Sequence, residues 1–181
     1  MTHRLFVAIR PPLQVRELLM REMHGVEAAR WQDDGQLHLT LRYAGELDRH
    51  QANDLAEALG KIAFDRFDLA LRGTGAFERK GKVHTLWAGV DRSEPLDRLQ
   101  SRIERICQTV GLPPEHRKFA PHVTLARLNA SSGSVAPFLA RTGGTSFGAW
   151  QVDSFGLYES HLRAGGSLYE EVEHYPLAQR A

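Results

Sequence analysis

Two short stretches of this chain carry residues able to do acid–base chemistry. His38-Leu39-Thr40-Leu41 and His122-Val123-Thr124-Leu125 repeat one order: histidine, an apolar residue, threonine, leucine. Alternate residues of a β-strand share a face, so each stretch presents an imidazole and a hydroxyl together and turns its apolar residues toward a core. Imidazole titrates near neutrality and can serve as acid or as base. Two such strands facing one cleft would supply both partners of a proton-transfer pair. Nine histidines and eight threonines in 181 residues give roughly 0.4 His-x-Thr triplets by chance, and roughly 0.02 when the apolar and leucine positions are also required. No other histidine fits; His84-Thr85-Leu86 has its threonine one place early. Two matched copies are a strong signal.

Opening a phosphodiester by in-line displacement uses such a pair. The attacking and leaving oxygens lie on opposite sides of phosphorus, so one imidazole takes a proton while the other gives one. Threonine hydroxyls beside them could donate to the non-bridging oxygens, where negative charge must be held. General acid–base help of this kind is worth about 10²–10⁴-fold. The remaining histidines, His3, His24, His50, His84, His116, His161 and His174, show no His-x-x-x-His spacing, and no nucleophilic serine or cysteine signature is present. No metal or other cofactor is expected.

The elements that must position these residues belong to an ordinary globular chain. Its charged fraction is 25%, its hydrophobic fraction 42% and its formal net charge +1. That length holds one domain with a substantial core, or two small lobes. The near-neutral balance excludes a strong overall field drawing the protein onto nucleic acid or an anionic membrane. The sole cysteine, Cys107, allows no intrachain disulfide and reads as a small buried side chain. The opening MTHRLFVAIRPP has too short an apolar run for a signal peptide, and no stretch has membrane-spanning length. A cytoplasmic protein without membrane contact is expected.

Leu5-Phe6-Val7-Ala8-Ile9 reads as a buried strand, and Val15, Leu18, Leu19 and Met23 as the stripe of a helix begun at Pro12 and stopped by Gly25. The first motif strand is expected over about 36–43, ended by Ala44-Gly45-Glu46. Asp48 with Gln51 forms a capping box for a helix burying Leu55 and Leu59. Strands are expected at 67–71 and 83–90 around the turn Arg79-Lys80-Gly81-Lys82. Ser93 then opens a helix with Leu96, Leu99, Ile103, Ile106 and Val110 on one stripe. The second motif strand runs from His122 to about Leu128, a short helix follows at 135–139, and two strands are expected at 147–158 and 168–175. Directly successive strands favour antiparallel pairing and an α+β class. Each half holds a long amphipathic helix and a His-x-Thr strand, which implies a duplication: two related lobes, each with a sheet, around a central cleft.

These residues, taken together, resemble the two-histidine phosphoesterases, and among them the RNA 2′,3′-cyclic phosphodiesterases once called 2′-5′ RNA ligases. The likeness spans nearly the whole chain. It includes Arg4-Leu5-Phe6-Val7-Ala8-Ile9, Trp31, His38-Leu39-Thr40-Leu41-Arg42-Tyr43, Leu86-Trp87-Ala88-Gly89-Val90, Phe119 to Arg127, and Leu157-Tyr158-Glu159-Ser160. The resemblance implies a bilobal, pseudo-twofold α+β domain over 1–181. It implies His38 as proton donor to the departing 3′ oxygen, His122 as acceptor from water, Thr40, Thr124 and Arg127 as phosphate ligands, and a 2′-phosphate product without metal. The partner would be RNA or a nucleotide bearing a 2′,3′-cyclic phosphate, and the protein a monomer. Run backwards, the same site would join cyclic-phosphate and 5′-hydroxyl ends.

Strict alternation would send Arg127 to the face opposite His122, so it must lie past the strand's end or at a bulge. Arg42 alternates onto the His38 face, as a phosphate contact or a solvated charge. Arg79, Lys80, Lys82, Arg117 and Lys118 could form a basic rim for RNA. Two rival functions remain at this level. A non-catalytic RNA-end binder needs basic and hydroxyl groups but no paired histidines, and a metal-dependent hydrolase would stop with chelator.

Overall fold

The computed structural model describes residues 1–179. Along the described residues run β1 (His3–Ile9), α1 (Leu13–Glu22), β2 (Arg30–Trp31), a 3₁₀ turn (Asp34–Gln36), β3 (Leu39–Leu47), α2 (Arg49–Leu59), β4 (Phe67–Arg79), β5 (Lys82–Val90) and α3 (Glu94–Thr109). Then follow β6 (His122–Arg127), α4 (Ala136–Thr142), β7 (Ser146–Val152), β8 (Ser154–Arg163) and β9 (Gly166–Pro176). The strands pair in the order β7-β4-β5-β6-β3-β1-β8-β9, with β2 added beside β6, and each of these pairings is antiparallel. The class is α+β, as expected.

The two expected sheets are halves of one path. On one side lies β6-β5-β4-β7, on the other β3-β1-β8-β9, with a motif strand innermost in each. The halves meet through a single residue pair, Leu39 with Val123. Leu5, Val7, Ile9, Leu39, Leu125, Leu86 and Leu157 share one core on the helix side of the sheet. Phe6, Ala8 and Tyr158 form a separate buried group; alternation along β1 puts them on the opposite, cleft face.

Local chemistry sets the element boundaries. Asp48 Oδ1 accepts from the Gln51 backbone N–H at 2.9 Å, and the Gln51 side chain accepts from the Asp48 N–H at 3.2 Å; such a box is worth about 1 kcal/mol. Ser93 Oγ accepts from the Leu96 N–H, and α3 buries Leu96, Leu99, Ile103 and Cys107. Burial pushes the Cys107 thiol up to about 11. Lys80 and Gly81, at φ 52° and 74°, make the two-residue primed turn whose twist suits a hairpin.

Three expected boundaries need correction. β4 does not stop at Leu71 but runs on to Arg79. β3 does not end at Ala44: Tyr43 pairs with Phe6 and Gly45 with Leu5, so Ala44 is an extra residue and the strand continues to Leu47. The apolar run 147–158 is two strands. Val152 still pairs with Phe67 of β4, whereas Ser154 pairs with Pro176 of β9. The chain changes halves at Asp153, whose carbonyl accepts from the Leu177 N–H at 2.7 Å. Among the described residues no helix is long and apolar enough to cross a membrane.

Candidate active site

The Leu39–Val123 pair sets the geometry of the motifs. In an antiparallel pair, stepping forward on one strand steps backward on the other. Thr40 therefore stands across from His122, and His38 across from Thr124. Leu39 and Val123 are fully buried on the core side, so the two histidines and two threonines take the cleft side, in a crosswise square at the centre of the sheet. Because only this one pair joins β3 to β6, the halves diverge beyond it.

Each motif strand then carries the same irregularity. In β3, Ala8 pairs with Thr40 and Val7 with Arg42, leaving Leu41 extra. In β6, Trp87 pairs with Thr124 and Leu86 with Ala126, leaving Leu125 extra. A bulge of one residue reverses the alternation that follows it. Burial runs buried, half-buried, buried, buried, exposed over both 39–43 and 123–127. Tyr43 and Arg127 thus return to the cleft face, while Arg42 and Ala126 turn inward.

This resolves Arg127 at a bulge. Its Nη1 donates to Thr85 Oγ1 at 3.1 Å, and Thr85 is its pairing partner on β5. The same effect overturns the placement of Arg42 on the His38 face. Arg42 is buried and donates to the Glu104 carboxylate on α3 and to the carbonyls of Tyr43 and Pro113. It is neither a phosphate ligand nor a solvated charge. Arg117 spends its guanidinium on Glu115, at 3.1 and 3.0 Å, and holds that carboxyl down at about 2. Arg79, Lys80 and Lys82 are exposed at the β4–β5 hairpin.

The environments of the two imidazoles match in outline and differ in detail. His38 is 5% exposed and is walled edge-on by Tyr158 at 4.5 Å, Tyr169 at 5.6 Å and Phe6 at 6.0 Å between ring centroids. Both ring nitrogens are buried, and the nearest approach to a hydrogen bond is from the ring to the Gln36 backbone. Burial pushes its pKa down to about 4; the Gln36 backbone opposes the shift, and Arg10 and Arg16 add to it. His122 is half-buried and packs edge-on against Phe77 at 4.8 Å. Its Nδ1 meets the Ala120 carbonyl at 2.7 Å. A carbonyl only accepts, so Nδ1 carries the proton and Nε2 is the basic atom. Burial first, then Arg127, lowers its pKa, against the Ala120 hydrogen bond.

Register relates the walls. Arg127, Thr85 and Phe77 lie on one row of the second half, and Tyr43, Phe6 and Tyr158 on the matching row of the first. Phe77 thus corresponds to Tyr158. One row further in, Thr124-Trp87-Gly75 matches Thr40-Ala8-Gly156. Both glycines make room for an aromatic ring: a Cβ on Gly75 would come within 2.2 Å of the Trp87 indole, and one on Gly156 within 2.8 Å of Tyr158. These walls were missed as site residues. The only signal was alternation within β1, hidden because both of its faces are apolar.

The depressed His38 pKa has a consequence for stability. The folded value, about 4, lies below the ordinary 6.5 of the unfolded chain, so between the two the unfolded state binds more protons. The contribution is whole above pH 6.5 and is lost as pH falls toward 4, amounting to about 3 kcal/mol. Urea unfolding from pH 7 to 4 is expected to show this loss. In His38→Gln, which does not titrate, it should be largely absent; an unchanged slope would contradict the buried neutral imidazole.

The chain is similar to known proteins in sequence and in fold. A family model described as the 2'-5' RNA ligase superfamily matches residues 11–164. An RNA 2',3'-cyclic phosphodiesterase of Aeropyrum pernix is 36% identical over 143 residues, covering 77% of this chain and 81% of that protein. One of Thermus thermophilus is 32% identical over 186 residues, covering 96% and 90%. The crystal structure of E. coli LigT complexed with 3'-AMP superposes with a TM-score of 0.83 at 26% identity, over 99% of this chain and 100% of that one.

Proposed function

The chain belongs to the 2'-5' RNA ligase superfamily, and we propose that it is an enzyme that hydrolyses RNA 2′,3′-cyclic phosphate ends to 2′-phosphomonoesters with His38 and His122 as its proton-transfer pair. The observation that carries the reading is the pairing of Leu39 with Val123, which sets the two His-x-Thr stretches side by side with their buried residues on the opposite face. The names of the relatives support the substrate class. In this reading the protein is a cytoplasmic monomer, one domain of two matched lobes.

The cyclic phosphate sits over the square. His122 Nε2 takes a proton from water as the water oxygen bonds to phosphorus. The bond from phosphorus to O3′ breaks on the opposite side, and His38 delivers a proton to that oxygen. Thr40 and Thr124 donate to the non-bridging oxygens, and Arg127, returned to the cleft by its bulge, pairs with the developing charge. The same displacement in the same direction, with a 5′-hydroxyl in place of water giving its proton to His122 and O3′ again leaving with a proton from His38, gives a 2′-5′ linkage.

An acid must hold a proton, yet His38 in the empty protein is held neutral near pH 7 by burial. The substrate supplies the missing stabilisation. A phosphodiester anion beside the ring favours the imidazolium, and a buried ring N–H gains an acceptor. The alkaline limb of kcat is therefore expected at higher pH than that of kcat/KM, because the first reports the complex and the second the free enzyme.

The test is incubation with adenosine 2′,3′-cyclic phosphate in excess chelator, with the product resolved as the 2′- or 3′-phosphate. Ring opening to the 2′-phosphate is expected. No turnover of this or of an RNA-terminal cyclic phosphate, turnover abolished by the chelator, or a 3′-phosphate product would overturn the proposal.

A further inference from the structure

Beyond Tyr158 lies a groove of about 710 Å³ that the reaction as described does not use. Tyr158 is a wall common to both places: its ring packs against His38 at 4.5 Å and also lines the groove. Arg10 and Arg16 enter from the junction of β1 and α1, Trp150 from β7, and Glu171 and His174 from β9.

The charges are unevenly distributed. Arg10 and Arg16 share one carboxylate, Asp34, at 3.2 and 2.7 Å. Two cations on one anion leave a positive surplus at that end. Glu171 accepts from the Tyr158 hydroxyl at 2.9 Å and meets His174 Nδ1 at 3.1 Å; with Asp153 it makes the rest of the lining unsuited to phosphate. An anion therefore has one seat, beside the two arginines. Trp150 is half-buried, and an aromatic face on such a groove stacks any nucleobase without regard to sequence.

The direction of the chemistry brings RNA to this groove. In-line displacement separates water from O3′ across phosphorus. With His122 on the water side and His38 on the O3′ side, the ribose that owns O3′ lies toward His38. Whatever is attached to the 5′ carbon of that ribose continues on the same side, past Tyr158. We infer that the groove holds the nucleotide preceding the cyclic end, its phosphodiester at Arg10 and Arg16 and its base on Trp150. The substrate is then an RNA oligomer, and a cyclic mononucleotide leaves half of the site empty. This rests on the reaction and the acid and base roles proposed above.

The experiment compares kcat/KM for adenosine 2′,3′-cyclic phosphate with that for an ApA dinucleotide ending in the same cyclic phosphate. The dinucleotide is expected to be favoured at least tenfold. Trp150→Leu, which keeps an apolar side chain against the core, and Arg10→Gln should each bring the ratio of the two values close to one. The ratio is the readout because Arg10 also acts on His38. Thermal unfolding confirms that both variants are folded. Equal kcat/KM for the two substrates in the wild type overturns the inference. So does a preference that survives both substitutions, which would send the chain elsewhere, for example past Arg79 and Lys82. If neither substrate is opened, the proposed reaction itself falls, and that result is distinct from opening without preference.

Discussion

Replacing either motif histidine by alanine lowers kcat for opening of the cyclic phosphate by about 10²–10⁴-fold. The two losses have different companions. His122→Ala removes the group whose Nδ1–H bonds to the Ala120 carbonyl at 2.7 Å and deletes the base, so the acid limb of the pH profile should vanish with the rate. His38→Ala deletes the acid, so the alkaline limb should vanish instead. It also removes a buried ring packed against Tyr158, and stability below pH 6 should be relatively spared. The double variant should fall little below the worse single one, because groups acting on one transition state are not additive. Steady-state rates from pH 4 to 9 on all three proteins make the check. Either single variant keeping more than about a tenth of the wild-type rate excludes its histidine from general acid–base catalysis.

The second large effect is structural. Arg42→Ala is expected to cost about 3–5 kcal/mol, because it leaves the Glu104 carboxylate without its cation in a largely buried setting. Arg42 and Glu104 are 8% and 17% exposed, and the guanidinium also satisfies the carbonyls of Tyr43 and Pro113. Glu104 keeps the Glu115 N–H and the Gln108 amide, so Arg42→Met with Glu104→Gln should recover part of the loss. Urea unfolding measures both. At a temperature where Arg42→Ala is folded, kcat should lie within about threefold of wild type. A drop as large as that of the histidine variants would instead put Arg42 at the substrate.

That pair of results separates what could be read in the sequence from what could not. The partnership of His38 with Thr40 and of His122 with Thr124 follows from two-residue periodicity, and the structure keeps it. So do the cap at Asp48 and the stripe of α3, because their signals are local. Alternation fails one residue later. Leu41 and Leu125 look like any strand leucine, and nothing in their types marks them as the extra residue of a bulge. The parity rule therefore sent Arg42 to the cleft, although for Arg127 it forced a bulge or a strand end as the way back. The aromatic walls failed for another reason: Tyr158 reaches His38 across 120 positions of chain, and only pairing through β1 brings them together. The split at Asp153 was hidden because both strands are apolar and nearly contiguous, and what changes between them is the partner.

The repeated bulge has one more implication. A cleft with a true twofold axis cannot tell a ligand from the same ligand turned by half a revolution, and an RNA terminus is not symmetric. Here the backbone is doubled but the side chains are not: Arg127 stands where the other half has Tyr43, Thr85 where it has Phe6, and Trp87 where it has Ala8. One cation set against one phenol ring is enough to make the two orientations unequal, and a difference of about 2.7 kcal/mol gives a hundredfold preference. In the proposed reaction the two matched halves would supply the pair of imidazoles, and the differences between them would give the bound strand a polarity.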